Sequence, residues 1–251
     1  MQRIILFILF SIVIVSVHAQ DISAILKEAD SFEKQLKETE ALDKYKQVLL
    51  IDPNHLKSLV KVAELNVIMG GKEKDKNNKR LYFESALSVA NKAVQANSTS
   101  ADAYYTLSMV SGRLTDVEVD NKKIVGFVKD IKVFADKAIS INPNHAKANY
   151  ILGKWNLEMV TLSGFKKMAV KLLYGGLPDG DLVKAIAFME KCKAIDTYFT
   201  PNYLDLSKAY IENNQPQIAI DILNKLIKLP TRNSEDVVIK AEGAKLLSSL
   251  N

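Results

Sequence analysis

Cysteine is almost missing from this chain of 251 residues: Cys192 is the only one, so no internal disulfide can form and stability must come from packing. Histidine is nearly as scarce, with His18, His55 and His145 the whole supply. No His-Glu-x-x-His, Cys-x-x-Cys, Walker-type glycine loop or Gly-x-Ser-x-Gly run occurs, so the expectation is no catalytic residue, no metal site, no cofactor and no enzymatic activity. Charge of one sign is lacking too. The net charge of +5 comes from 34 basic and 29 acidic residues that are interleaved along the chain, which predicts a mixed soluble surface and excludes a nucleic-acid footprint. Only one long apolar run exists, residues 4–17, and its 14 residues fall short of the about 20 that a membrane-spanning helix needs. With Arg3 before it and Val17 and Ala19 on either side of His18, it predicts a secretory leader over residues 1–19. The remainder, 20–251, is then one domain delivered to the periplasm or the extracellular space, in the manner of a bacterial envelope protein.

What the chain does have is a repeating triplet. Ala41/Tyr45/Val48, Ala86/Ala90/Ala93, Ile131/Ala135/Ala138, Ala185/Met189/Cys192 and Ala219/Leu223/Leu226 share spacings of four and three, which put each triplet on one helix face. A turn residue follows each after five positions: Pro53, Ser98, Pro143, Thr197 and Thr231. The triplets start 45, 45, 54 and 34 residues apart, and the excess falls between the two helices of a repeat, where insertion costs little. The pattern predicts helices over 22–36, 39–51, 55–69, 78–97, 100–115, 121–141, 145–160, 163–174, 181–195, 200–213, 216–229 and 234–249, and no strand. Val237, Ala241, Ala244 and Leu247 are the expected buried face of a last helix that caps the stack.

The hairpin 200–233 is the one repeat of standard length. Tyr203, Leu206, Ser207 and Tyr210 followed by Ala219, Leu223 and Leu226 match the two helices of a tetratricopeptide repeat, so the fold class expected is an all-α, right-handed helical-repeat superhelix with elongated repeats. The run Gly153, Trp155, Leu162-Ser163, Phe165, Lys167-Met168-Ala169, Leu172, Gly175-Gly176 and Pro178, continuing through Ala185, Phe188, Asn202, Leu206, Tyr210 and Leu229-Pro230, resembles the regulator of microtubule dynamics family. That resemblance implies the same helical-repeat scaffold.

In such a scaffold the first helix of each repeat lines the concave side. The offsets that bury Tyr203 and Leu206 turn Leu204, Lys208 and Ile211 inward, with Tyr150, Lys154 and Leu157 one repeat earlier and Tyr105 and Met109 before those. The expected partner is therefore a peptide or protein segment with apolar anchors, held in this groove by a non-enzymatic scaffold or adaptor. The chain's own extra segments are an alternative filling. A membrane surface is the secondary partner, through an amphipathic helix at 163–174 carrying Phe165, Lys166, Lys167 and Lys171. Least favoured is a hydrolase, which would draw on carboxylates such as Glu158, Asp179 and Asp181. His55 and His145, each after Pro-Asn, are read as polar turn residues, and Cys192 as a buried core thiol.

Overall fold

The computed structural model describes residues 21–164, 168, 170–172 and 175–250. The expected leader lies outside the described residues, as do Phe165, Lys166 and Lys167. The described chain is helical throughout, with no strand: α1 (21–34), α2 (Glu38–Ile51), α3 (Leu56–Lys72), α4 (Lys76–Ala96), α5 (Ala101–Thr115), α6 (Asn121–Ile141), α7 (Ala146–Thr161), α8 (Leu182–Ile195), α9 (Thr200–Glu212), α10 (Pro216–Leu226) and α11 (Ser234–Leu250). Each pair α3/α4, α5/α6, α7/α8 and α9/α10 forms an antiparallel hairpin, and each hairpin stacks on the next. The long intervals in the sequence lengthen helices. Both α4 and α6 reach 21 residues, and α4 starts two residues before the expected Asn78 because Asp75 caps it, accepting from the Asn77 and Asn78 N–H groups.

The turns between repeats share one device. Asp52, Asn97, Asn142 and Asp196 each donate their N–H to the carbonyl four residues back, which ends a helix, and each side chain accepts the N–H two residues on. Three residues further along, His55, Ser100 and His145 cap the next helix by accepting an N–H from its first turn. The anchoring residue is thus the Asx one position before the turn residue indexed from the sequence.

The triplets form the core. All their members are fully buried except Ile131, which is half-buried against the core cluster that includes Tyr105 and Leu152. Small residues allow close approach where helices cross: a side chain on Gly153 would collide with Met189 and the Ala185 carbonyl of α8. Past α7 the chain turns back through Gly175 and Gly176, at φ of 75° and 82°, a left-handed conformation that glycine adopts without penalty.

The last helix departs from expectation. Val237, Ala241 and Ala244 face solvent, Val237 at 58% exposure, and only Leu247 of the predicted face packs inward. The buried side carries Asp236, Ile239, Gly243, Leu246 and Leu250 instead. Two features rotate it. Gly243 lets α11 come down onto Leu226 and Leu223, and Asp236 is buried as the acceptor for the Arg232 and Asn233 N–H groups and the Thr200 hydroxyl. Apolar periodicity registers neither a glycine contact nor a buried carboxylate.

Candidate functional site

The first helices of the repeats, α3, α5, α7 and α9, pass side by side along the concave face. Corresponding positions follow from the shared turn: twelve residues after Asp52, Asn97, Asn142 and Asp196 stand Glu64, Met109, Lys154 and Lys208. The eight predicted groove residues divide into two groups there. Tyr105, Leu157 and Leu204 are buried, at 5%, 7% and 4% exposure, and serve the walls. Met109, Tyr150, Lys154, Lys208 and Ile211 are half-buried.

Two polar clusters lie along these helices. In the N-terminal one Lys147 of α7 reaches past α5 to Glu64 of α3 at 2.5 Å, with its ammonium 5.4 Å from the Tyr105 ring centre. Lys61 joins the cluster, pairing with Glu33 at 3.0 Å and Glu64 at 3.4 Å. Burial alone would raise the Glu64 carboxyl, but the Lys147 and Lys61 ammoniums outweigh it and hold the acid at about 2. In the C-terminal cluster Asp205 is the hub. It accepts from the Tyr150 hydroxyl at 2.8 Å and pairs with Lys154 at 3.4 Å and Lys208 at 3.5 Å. Phe199 meets the Tyr150 ring edge-on at 5.1 Å.

Beside Asp205 lies an open cleft of about 300 Å³ lined by Lys154, Leu157, Glu158, Thr161, Lys208 and Glu212. Although 54% of its side chain is exposed, desolvation at the cleft raises the Glu158 carboxyl above its ordinary value; Lys154 partly offsets this, while Asp205 and Asp116 add repulsion. The same surroundings work on Lys154 in the opposite direction. Burial would lower its ammonium, yet Asp205 and Glu158 prevail and raise it.

The last helix is tied back to earlier elements of the chain. Arg113 at the end of α5 pairs with Glu235 of α11 at 2.7 Å, across 122 residues of sequence. The Ser234 N–H donates to Glu38 at 2.8 Å, and Glu38 also holds Lys72. Further along α11, Glu242 pairs with Lys208 at 2.9 Å. Arg113, Glu64 and Lys147 were absent from the sequence-derived set. Glu64 shares the register of Lys154 and Lys208, and Arg113 shares that of Glu158 and Glu212, so carrying the turn-based indexing back two repeats would have found both.

The scarce chemical groups are taken up by structure. His55 and His145 accept backbone N–H groups through Nδ1 as helix caps, and the other nitrogen of His145 lies 2.9 Å from Asp102. Asp181 caps α8 through the Lys184 N–H, and Asp179 is exposed. Cys192 is fully buried, which pushes its thiol up to about 12. Among the described residues no three His, Cys, Asp or Glu converge as metal ligands. The geometry is that of paired charges along the first helices, with an open cleft beside Asp205.

Comparison with known proteins agrees with this architecture. A thermophilic tetratricopeptide protein of Thermus thermophilus superposes with a TM-score of 0.63 over 90% of this chain and 99% of its own, at 16% identity. The pilF protein of Pseudomonas aeruginosa gives 0.51 over 93% and 90%, at 13% identity. These likenesses establish the fold. Regulator of microtubule dynamics protein 1 of Homo sapiens is 27% identical over 174 residues, covering 69% of this chain and 55% of the human protein. Its Mus musculus counterpart is 26% identical over 189 residues, 75% and 61% of the two chains, so this chain spans little more than half the length of such relatives. The model of the regulator of microtubule dynamics protein 1-3 family matches residues 25–251, and the chain belongs to that family.

Proposed function

We propose that this chain is a non-enzymatic interaction scaffold that holds a peptide or protein segment on its concave face, in the envelope compartment to which residues 1–19 would direct it. The observation that carries the reading is the open cleft lined by Lys154, Leu157, Glu158, Lys208 and Asp205, the last of which also accepts from the Tyr150 hydroxyl. Charges there give register and selectivity, and Leu157 offers apolar area to an anchor side chain. Capture from the native cell envelope with wild type beside Lys154→Ala/Lys208→Ala tests it. The double variant is expected to lose most of a shared partner's yield while keeping its helical circular dichroism. Equal yields from the two folded proteins would overturn the groove assignment.

A second reading, a peripheral membrane tether, is favoured by one observation. Met168 and Leu172, four residues apart and 64% and 79% exposed, flank Lys171 in the segment after α7. No helix of the described residues is long and apolar enough to cross a membrane. Flotation with anionic liposomes that is abolished by Met168→Gln/Leu172→Gln would support a tether, and absence of flotation would remove it. The relatives' name ties them to microtubule dynamics, whereas an exported chain does not meet tubulin; cosedimentation with microtubules is expected to leave this chain in the supernatant.

A further inference from the structure

The charges that α11 satisfies describe the ligand that could replace it. Glu235 and Glu242 lie seven residues apart, two helical turns on one face, and take Arg113 and Lys208 respectively. Between them Ile239 packs against the cluster built on Leu223 and Leu226. Only Asp236 and Gly243 are buried in its 17 residues; Ile239, Leu246, Leu247 and Leu250 pack half-buried on the last repeat, and Thr200 bonds to Asp236. Beyond that seat, its outer ties are carboxylates: Glu235 on Arg113, Glu242 on Lys208, and Glu38 accepting the Ser234 N–H.

We infer that α11 is an internal stand-in for the partner, and that the partner is an acidic amphipathic helix with two carboxylates two turns apart and an aliphatic residue between them. Such a helix takes Arg113 and Lys208 from Glu235 and Glu242 and opens the concave side as it binds. The inference rests on the scaffold reading and adds to it a ligand class and a competition. Lys208 is common to both descriptions: it borders the Asp205 cleft and carries the outer ion pair of α11.

The test uses a fluorescent synthetic peptide of residues 232–250 added to the full chain. Wild type should bind it weakly, since its own copy competes, and Glu235→Gln/Glu242→Gln should bind roughly fivefold or more tightly, as expected for releasing two partly exposed ion pairs. Arg113→Gln/Lys208→Gln should lose binding. Equal affinity in all three folded proteins would overturn the inference. Hydrogen exchange on the unaltered chain gives a second readout independent of variant folding. Saturating peptide should speed exchange over residues 234–246, and unchanged protection there would overturn the inference. Native-partner capture that falls with Lys154→Ala/Lys208→Ala but ignores Glu235→Gln/Glu242→Gln would leave the scaffold reading standing and remove this one.

Discussion

Replacing Gly153 by alanine and Gly243 by alanine is the same chemical change in two helix interiors, yet the structure predicts different outcomes. In both, alanine gains about 1 kcal/mol of intrinsic helix propensity over glycine. At Gly153 the new Cβ would stand 2.5 Å from Met189 Cγ, 2.9 Å from the Ala185 carbonyl oxygen and 3.2 Å from the Met189 nitrogen. Two of those atoms are backbone of α8, and Ala185 and Met189 are fully buried, so relief requires α7 and α8 to separate. Overpacking of that kind costs about 1–3 kcal/mol and here lies toward the upper end, leaving a net loss of about 1–2 kcal/mol. At Gly243 the Cβ would meet Leu226 Cδ2 at 2.6 Å, with the next atoms at 3.4 and 3.6 Å. A terminal methyl can rotate away, so Gly243→Ala should stay within about 1 kcal/mol of wild type. Urea denaturation followed by circular dichroism reads both, with an unchanged m-value required for the comparison. Equal effects of the two substitutions, or a stabilised Gly153→Ala, would refute the reasoning that backbone contact between α7 and α8 sets the repeat's close approach.

Trp155 is fully buried and its indole N–H donates to the Val128 carbonyl at 3.0 Å; Trp155→Ala should cost about 3–5 kcal/mol in the same assay, and a loss below about 1 kcal/mol would contradict its place in the core. Burial would raise the Glu38 carboxyl, yet Lys72 and the Ser234 N–H hold it below its ordinary 4.5. A carboxyl lowered in the folded state contributes stability above its unfolded value and loses it as pH falls through the folded one. The stability gap between wild type and Glu38→Gln should therefore be constant from pH 7 down to about 5 and shrink below about 4.5; a gap that instead changes near neutrality would exclude Glu38 as its source. Cys192, with its thiol pushed up to about 12, should resist a disulfide reagent at pH 8 until denaturant is added, and rapid labelling of the native chain would contradict its burial.

Helix positions and the repeat were legible in the sequence because a small-residue triplet is a packing requirement repeated at fixed register. Ala86, Ala90 and Ala93 have to be small wherever another helix presses on them, so their spacing reports the fold directly. The partial exposure of Lys154 and Lys208, which share one register, was legible, whereas the burial of Tyr105, Leu157 and Leu204 was not, because their side chains pack between helices. The orientation of α11 was not legible. Val237, Ala241, Ala244 and Leu247 make an apolar stripe unbroken by polar residues or glycine, whereas the buried side interposes Asp236 and Gly243 among its aliphatics, and those two decide the contact through shape and hydrogen bonding. Pairs such as Lys147 with Glu64 and Arg113 with Glu235 depend on superhelical curvature, which brings together residues 83 and 122 positions apart. No local pattern encodes that distance.

Whether the concave face is where a partner docks can be asked of single positions in the native envelope. A photoactivatable amino acid at Thr161, exposed at the rim of the Asp205 cleft, is compared with one at Lys92, exposed on the second helix of its repeat. Crosslinked species of discrete mass from position 161 and none from position 92 are the predicted result. Adducts from position 92 alone would contradict the account.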